Sequence, residues 1–325
     1  MVNLNLIQVD AAFEKILKNQ EELKKKATFE FAKLKDIPVE EAMEMKGDWN
    51  LILELERYTT EYVGKVMKNH IPDNVISDHF NIKRTEAEWT ILPNNPKNKA
   101  FLYFFGGGYV AGSLSENSYV RYLLSKYMNL NVLGIDYSLA PEKPFPAALE
   151  DAIKGYDWLL SNGFESNEIF IGGASAGGGL AMAMLLKARD LGLEMPRAAI
   201  LISPWVDLKC RAKSIKKFRD LEPELGTGLK PISYLYSKGE SKKNPYLSPL
   251  FGDLNGLPPL LIHAGSHDGL LDDAKNLAEK ARDQEVEVEL KIWENMPHDF
   301  HKYGDNHPTG RQAFEEIAAF INKHL

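Results

Sequence analysis

The stretch Glu168–Leu186 constrains the fold more than any other part of the sequence. Its first residues, Glu168–Gly172, form a short apolar run typical of a buried parallel strand, and its alanine-, methionine- and leucine-rich end predicts a helix. Between the two lies the pattern Gly173-x-Ser175-x-Gly177. Only residues without bulky side chains let a chain turn this sharply, so the pattern predicts a strained turn that exposes the Ser175 hydroxyl, as in a nucleophile elbow.

The helix predicted to begin at Ala176 strengthens this interpretation. Its first N–H groups and its dipole would lie beside the hydroxyl, where negative charge develops during acyl transfer. The alternative is a glycine-rich corner in which Ser175 has no chemical role. The pentapeptide alone does not decide between them, so the chemical partners of Ser175 have to be sought elsewhere in the chain.

Strands and helices alternate from residue 100 onward. The predicted strands are Ala100–Phe105, Val132–Tyr137, Glu168–Gly172, Ala198–Ser203, Leu260–Ala264 and Val286–Trp293. The predicted helices are Ser115–Met128, Ala147–Ser161, Ala176–Leu191, Leu271–Asp283 and Gly310–His324. An antiparallel edge pair, Phe80–Arg84 with Ala87–Leu92, precedes them. The pattern predicts an α/β fold with a mostly parallel sheet flanked by helices, which binds ligands at the carboxyl ends of its strands.

Two segments fall outside this alternation. Residues 1–79 have a helical pattern, with apolar residues recurring on one face, first at Phe13, Ile16 and Leu17. Residues 205–250 contain four prolines and no clear strand, and they are too long for a plain loop. The prediction is therefore a helical N-terminal cap over 1–79 and an α/β domain over 80–325, with 205–250 inserted as a second piece of the cap.

A serine nucleophile requires a base within hydrogen-bonding distance. His298 is the leading candidate, because it follows the last predicted strand by a short loop at the carboxyl edge of the sheet. The other histidines considered lie inside a strand, in the loop or helix that follows His298, or in the leader and the tail: His263; His301 and His307; His70, His79 and His324. For His263, a core histidine with its hydrogen bonds satisfied is the expected role.

The base requires an acid that orients it, and in α/β-hydrolases this acid lies between serine and histidine in chain order. Asp268 follows the predicted strand Leu260–Ala264 and fits that position. Asp272 and Asp273 are rivals, but they fall where a helix begins, and acids there more often stabilise the first turn.

A developing oxyanion requires backbone donors. The strand Ala100–Phe105 runs into three consecutive glycines, 106–108, whose N–H groups can act together with that of Ala176. The same loop also matches a dinucleotide fingerprint, Gly106-x-Gly108-x-x-Ala111, with Asp136 at the end of the next strand. The delayed helix after Gly112 argues against that alternative, because no helix N-terminus would meet a pyrophosphate.

The net charge and the motifs of the sequence argue against functions in nucleic-acid binding, metal chemistry and nucleotide binding. The net charge of −7 disfavours binding to nucleic acid or to an anionic membrane surface. His298-x-x-His301 lacks the spacing of a zinc protease, and no Walker loop occurs, so no metal or other cofactor is predicted.

No apolar run approaches about 20 residues, the length that a membrane-spanning helix requires. The lone Cys210 and an amino terminus unlike a signal peptide lead us to expect a cytoplasmic protein.

The candidate residues occur in an informative order: triglycine loop, Ser175, Asp268, His298. With the tracts Asp136–Asp151, Ser203–Leu208 and Leu257–Pro259, the chain resembles the hormone-sensitive-lipase-like family of α/β-hydrolase fold esterases from about Trp89 to its end. The resemblance implies a serine carboxylesterase that hydrolyses short-acyl esters of small molecules through an acyl-enzyme intermediate. It also implies Gly107, Gly108 and Ala176 as oxyanion donors. Relatives often form homodimers, and the sequence leaves the oligomeric state open.

Two positions depart from the family pattern. Phe105 stands where the family usually has histidine before the glycines, and Ala174 stands where it usually has aspartate before the serine. Each departure removes a polar group that would brace the backbone around the site. These departures keep open a ligand-binding protein that does not hydrolyse its ligand, on the same fold. Amide or lactone hydrolysis on the same triad is a nearer alternative.

Overall fold

The computed structural model describes residues 11–43 and 48–325, without the side chains of 11–14, 16, 17, 223 and 224. The predicted apolar face at Phe13, Ile16 and Leu17 therefore lies outside the described residues. Among the described residues, the strands are β1 Ile76–Ile82, β2 Thr85–Ile91, β3 Ala100–Phe104, β4 Asn131–Ile135, β5 Ile169–Ala174, β6 Ala198–Ile202, β7 Leu260–Gly265 and β8 Val288–Trp293.

These strands form one sheet in the order β1-β2-β4-β3-β5-β6-β7-β8. Strand β2 pairs antiparallel with β1 and β4, and every other neighbouring pair is parallel. The predicted α/β-hydrolase fold is confirmed, with its antiparallel edge pair. Strands β3 to β7 are buried along their whole length, as parallel strands covered on both faces have to be.

Ten α-helices are described in the same part of the chain. They are α1 Ala11–Lys35, α2 Val39–Met43, α3 Trp49–Lys68, α4 Ser118–Met128, α5 Ala147–Ser161, α6 Ala176–Asp190, α7 Lys213–Lys217, α8 Pro223–Ser237, α9 Leu271–Asp283 and α10 Pro308–Lys323. Helix α4 packs against α10, and α5 packs against α6.

The observed boundaries differ from the predicted ones where polar side chains form turns. Helix α4 begins three residues after the predicted Ser115, because the Ser113 hydroxyl accepts the N–H of Glu116 and holds a turn there. Strand β1 begins at Ile76, before the predicted end of the helical leader at residue 79. The pairing of β1 with β2 decides this boundary, and a polar edge strand of this kind gives a weak pattern in sequence.

Helix α3 is fastened to the loops that leave β3 and β4 at their carboxyl ends. The Arg57 guanidinium donates to the carbonyl oxygens of Val110 and Ala140 and to both carboxylate oxygens of Glu142. The Ser113 hydroxyl donates to Glu61 of the same helix at 2.9 Å. The helical leader therefore lies across the end of the sheet where the sequence places the candidate site.

Helix α4 is held on the sheet by a buried ion pair. Arg121 is fully buried, and its guanidinium donates to the Glu88 carboxylate of β2 at 2.7 Å and to the carbonyl of Leu114 at 2.9 Å. Glu88 is also buried and has His79 3.8 Å away at the edge of the sheet. Removing one member of such a pair leaves the other charge without compensation in the protein interior.

We therefore expect Arg121→Ala to lower the free energy of unfolding by about 3–5 kcal/mol. The matched control is Lys126→Ala on the same helix, because Lys126 pairs with Asp305 at a half-exposed position and a surface pair contributes only about 0–1 kcal/mol. Urea denaturation followed by circular dichroism measures both variants. Equal shifts in the two midpoints would show that the buried pair has no special weight.

Candidate active site

Ser175 occupies a strained turn between β5 and α6. Its backbone has φ 53° and ψ −118°, a conformation that non-glycine residues rarely adopt and that costs about 1–3 kcal/mol. Two hydrogen bonds hold it there: the Ser175 N–H donates to Ile202 of β6 at 2.8 Å, and its carbonyl accepts the N–H of Trp205 at 3.0 Å. The predicted strained turn is therefore present, and hydrogen bonds to the neighbouring strand and to the segment after it hold it in place.

The glycines of the elbow allow it to touch β3. A Cβ on Gly177 would lie 2.0 Å from the carbonyl oxygen of Phe104, and one on Gly173 would lie 2.4 Å from the same oxygen. No side chain fits in these gaps. The two backbones are thus in direct contact, and the loop that leaves β3 is brought beside Ser175.

This loop contains the three glycines predicted to supply oxyanion donors. A Cβ on Gly106 would lie 3.4 Å from the Cβ of Ser175. Gly107 and Gly108 have φ values of 111° and 64°, which are favourable only for glycine. Within the described residues, the N–H groups of Gly107, Gly108 and Ala176 make no hydrogen bond, so all three remain available to an oxygen of a ligand.

Phe105 braces this loop in a way the sequence did not suggest. Its ring stacks on Tyr137 with 4.3 Å between the ring centroids, and the Tyr137 hydroxyl donates to the Phe105 carbonyl at 2.8 Å. Both residues are buried. An aromatic pair and one hydrogen bond thus support the backbone at the position where the family pattern predicts a histidine. Ala174 is also buried and places no polar group beside the elbow.

Asp268 and His298 are joined by a hydrogen bond. His298 Nδ1 lies 2.9 Å from Asp268 Oδ1, which also accepts the N–H of Leu270 at 2.7 Å. Because a carboxylate only accepts hydrogen bonds, the proton of this bond belongs to Nδ1, which leaves Nε2 as the free basic atom of the neutral ring. Asp268 is completely buried, whereas the His298 side chain keeps 15% of its surface exposed.

The environment of this pair favours its ionised form. Burial opposes the charge on the imidazole, but the carboxylate of Asp268 and the hydrogen bond to it outweigh burial and raise the pKa of His298 from 6.5 to about 9. Burial likewise opposes the charge of Asp268. The charge of His298 and the hydrogen bonds that the Asp268 carboxylate accepts outweigh burial and lower the pKa of Asp268. The site therefore stabilises a cationic imidazolium.

Ser203 connects the loop of His298 to the elbow. The Ser203 hydroxyl accepts the N–H of Asp299 at 3.2 Å. In the chain, Ser203 directly follows Ile202, whose carbonyl accepts the N–H of Ser175. Within the described part of the chain, no hydrogen bond joins the Ser175 hydroxyl to His298. Such bonds are often long without substrate and shorten when substrate binds.

The rival acids have other partners. Asp273 accepts the N–H groups of Val206 and Asp207 at 3.0 and 2.9 Å, and Asp272 accepts that of Ser214 at 3.0 Å. Both therefore anchor the segment 205–250 and do not contact the imidazole of His298. The sequence predicts that both acids stabilise the first turn of their own helix. In the structure, their carboxylates instead accept hydrogen bonds from another segment.

The rival histidines lie away from Asp268. His263 and His301 face each other in the core with 3.0 Å between ring nitrogens, and burial lowers the pKa of His263 to about 3. His263 is a core residue as predicted, but its hydrogen bonds are not all satisfied, because its Nε2 has no partner among the described residues. The His307 ring accepts the N–H of Thr309 at the start of α10. His70 and His324 lie in the leader and the tail, as predicted, whereas His79 lies in the edge strand β1 and not in the helical leader.

One residue near the base was not found from sequence. Glu222 lies before α8 and accepts the backbone N–H of His298. A glutamate followed by proline at a helix start has an ordinary local explanation, so no sequence signal distinguished it. Among the described residues, no cluster of three or more potential metal ligands occurs, and no helix is long and apolar enough to span a membrane.

Comparison with known proteins identifies the class. The profile of the α/β-hydrolase fold family matches residues 101–302, which is more than half of the chain. The chain therefore belongs to the α/β-hydrolase fold family.

Individual relatives narrow this assignment. An acetyl-hydrolase of Streptomyces hygroscopicus is 38% identical over 75% of this chain and 82% of the relative. The crystal structure of EstE5 soaked with p-nitrophenyl butyrate is 36% identical, with a TM-score of 0.81 over 97% of this chain and 99% of that one. An esterase from the bacterial hormone-sensitive lipase family is 32% identical, with a TM-score of 0.81 over 93% and 98% of the two chains. The resemblance to hormone-sensitive-lipase-like esterases is confirmed, and the protein is a carboxylic ester hydrolase.

The brace at Phe105 leads to a prediction. Tyr137→Phe leaves the buried Phe105 carbonyl without its donor and loosens the neighbouring glycines, so we expect kcat/KM for esters to fall roughly tenfold or more. Tyr156→Phe is the matched control, because the hydroxyl of buried Tyr156 also donates to a backbone carbonyl, that of Glu194, away from the turn at Ser175. Steady-state kinetics distinguish the two, and an equal loss of kcat/KM in both would refute a local role for Tyr137.

Proposed function

We propose that the protein is a serine carboxylesterase that hydrolyses short-acyl esters through an acyl-enzyme intermediate. Ser175 is its nucleophile, His298 its base and Asp268 the acid that orients the base. The observation that carries the proposal is the hydrogen bond between His298 and buried Asp268, in a loop that Ser203 ties to the strained turn at Ser175. Three separate parts of the chain supply these groups.

The reaction follows from these positions. His298 Nε2 takes the Ser175 proton as the hydroxyl oxygen attacks the acyl carbon, and it then gives that proton to the leaving alcohol. Water repeats the sequence on the acyl-enzyme, which releases the acid and restores the serine. Asp268 stabilises the imidazolium in both steps, and the N–H groups of Gly107, Gly108 and Ala176 bind the negatively charged oxygen of each tetrahedral intermediate.

Short acyl chains are the proposed substrates because of the relatives. The Streptomyces protein is an acetyl-hydrolase, and EstE5 was soaked with a butyrate ester. The N-terminal helices and the segment 205–250 together form the proposed cap. A cytoplasmic location and a homodimer stay predictions from the sequence and from the family.

The ligand-binding alternative requires none of the proton-transfer groups. A buried carboxylate that orients an imidazole costs desolvation free energy, and a pure binder has no use for it. Amide and lactone hydrolysis would use the same groups, and the names of the relatives favour esters.

The nucleophile is tested with p-nitrophenyl acetate and a fluorophosphonate. We expect wild-type protein to hydrolyse the ester and to be labelled at Ser175, and Ser175→Ala to lose labelling and at least about 10³-fold in kcat. Ser161→Ala is the control, since this exposed serine at the end of α5 is not part of the site, and it should still be labelled at Ser175. Hydrolysis that survives unchanged in Ser175→Ala would refute the proposal.

The pH dependence follows from the pKa of His298. Only the neutral imidazole accepts the serine proton, and the raised pKa means that the ring holds its own proton to higher pH than an ordinary histidine. We expect kcat/KM to fall as pH decreases, with a midpoint displaced from 6.5 toward 9. Initial rates corrected with Ser175→Ala as the blank measure this profile. A midpoint at or below the ordinary value would contradict it.

A further inference from the structure

Glu222 joins the two loops that bear the acid and the base. Its Oε1 accepts the N–H of His298 at 2.5 Å, and its Oε2 accepts the N–H of Gly269, the residue after Asp268, at 2.7 Å. Glu222 is only 8% exposed. One buried carboxylate thus bridges the loop that follows β7, at Gly269, and the loop that follows β8, at His298.

The ordinary explanation for a glutamate at this point in the chain fails. Glu222 is the residue before α8, where a carboxylate usually caps the first turn of its own helix. The Glu222 side chain makes no such bond to α8. It turns away from its helix and binds two loops that are 47 and 76 residues distant in sequence.

The backbone of Glu222 belongs to the segment 205–250. Its N–H donates to the carbonyl of Phe218 at 2.8 Å, and its carbonyl accepts the N–H of Gly226 at 2.9 Å. The carboxylate is therefore anchored in this segment, while its oxygens hold the catalytic loops. Hydrogen bonds from backbone N–H groups to a carboxylate are stronger than those between neutral groups, so the contact is energetically significant.

The charge of Glu222 also acts on His298. Burial and the charge of Asp268 raise the pKa of Glu222 to about 7, whereas the charge of His298 opposes this rise. Asp268, Glu222 and Asp299 all favour the protonated imidazole. Other charged groups interact with these carboxyls: Lys302 and Glu116 with Asp299, and Asp273 of α9 with Asp268.

We propose that Glu222 is a positioning residue of the esterase site, whose carboxylate fixes the loops of Asp268 and His298 relative to each other and couples them to the segment 205–250. This inference rests on the proposed triad of Ser175, Asp268 and His298. Glu222 touches no reacting atom, and it acts through the loop backbones and through its negative charge beside the imidazole.

Glu222→Gln tests both effects, because an amide has the same shape but no charge and only one accepting oxygen. One of the two N–H groups then faces an NH₂ group. We expect kcat per active site to fall about 10–100-fold, as when supporting hydrogen bonds of a site are lost. We expect KM to change less than kcat and the acid limb of kcat/KM to move to lower pH.

Active sites are counted by fluorophosphonate labelling, so that loss of folded protein is not mistaken for slower chemistry. Glu222→Asp retains the charge on a shorter side chain, and it should keep the wild-type acid limb while kcat per site falls. This variant also decides the question should Glu222→Gln fail to fold. The control is Glu240→Gln, an exposed glutamate of the same segment, which should match wild type in every measurement.

The outcomes separate the two proposals. A labelled and active wild type combined with wild-type kcat per site and an unmoved acid limb in Glu222→Gln would overturn the role of Glu222 and leave the triad intact. Fewer labelled sites with unchanged kcat per site would show a purely structural residue and also overturn it. A wild type that is neither labelled nor active would refute the triad itself, and the role of Glu222 with it.

Discussion

The direct contact between the backbone at the end of β3 and the turn at Ser175 is the constraint on which the site depends. Gly173 and Gly177 approach the carbonyl of Phe104 so closely that any Cβ would collide with it. This contact places the glycine loop beside the serine and leaves N–H groups from both sides of the gap unpaired. The proposed site for a negatively charged oxygen thus consists of backbone N–H groups, whose positions depend on this contact and on the support of the loop by Tyr137.

A second constraint is the electrostatic balance around one imidazole. Asp268 and Glu222 are buried, and burying two carboxylates close together is unfavourable unless a cation or several N–H donors lie between them. His298 supplies both, through its ring for Asp268 and through its backbone N–H for Glu222. The arrangement raises the basicity of the imidazole, which suits the role of base proposed for His298. Neutralising either acid would lower the pKa of this imidazole.

Sequence reasoning succeeded where information is local. Buried parallel strands appear as continuous apolar runs, so the bounds of β3 to β7 were predicted within one or two residues. The sharp turn at Ser175 was predicted from its glycines. The proximity of Asp268 to His298 could be predicted because both follow strands that end at the same edge of the sheet. Glu222 could not be found in this way, because its partners lie 47 and 76 residues away and its local setting is that of an ordinary helix start. The support of Phe105 by Tyr137 was missed for the same reason, since their sequence separation is 32 residues.

These contacts give the segment 205–250 a role beyond that of the cap proposed for it. From α8, Ile232 lies against Gly108 of the glycine loop, and Tyr236 stacks on Tyr109 with 3.8 Å between ring centroids. From the residue before α8, Glu222 binds the loops of the acid and the base. One helix and its first turn thus contact the groups proposed to bind the oxyanion and those proposed to move the proton. Displacement of α8 would disturb both sets of groups together. The geometry of the proposed site therefore depends on the position of this segment.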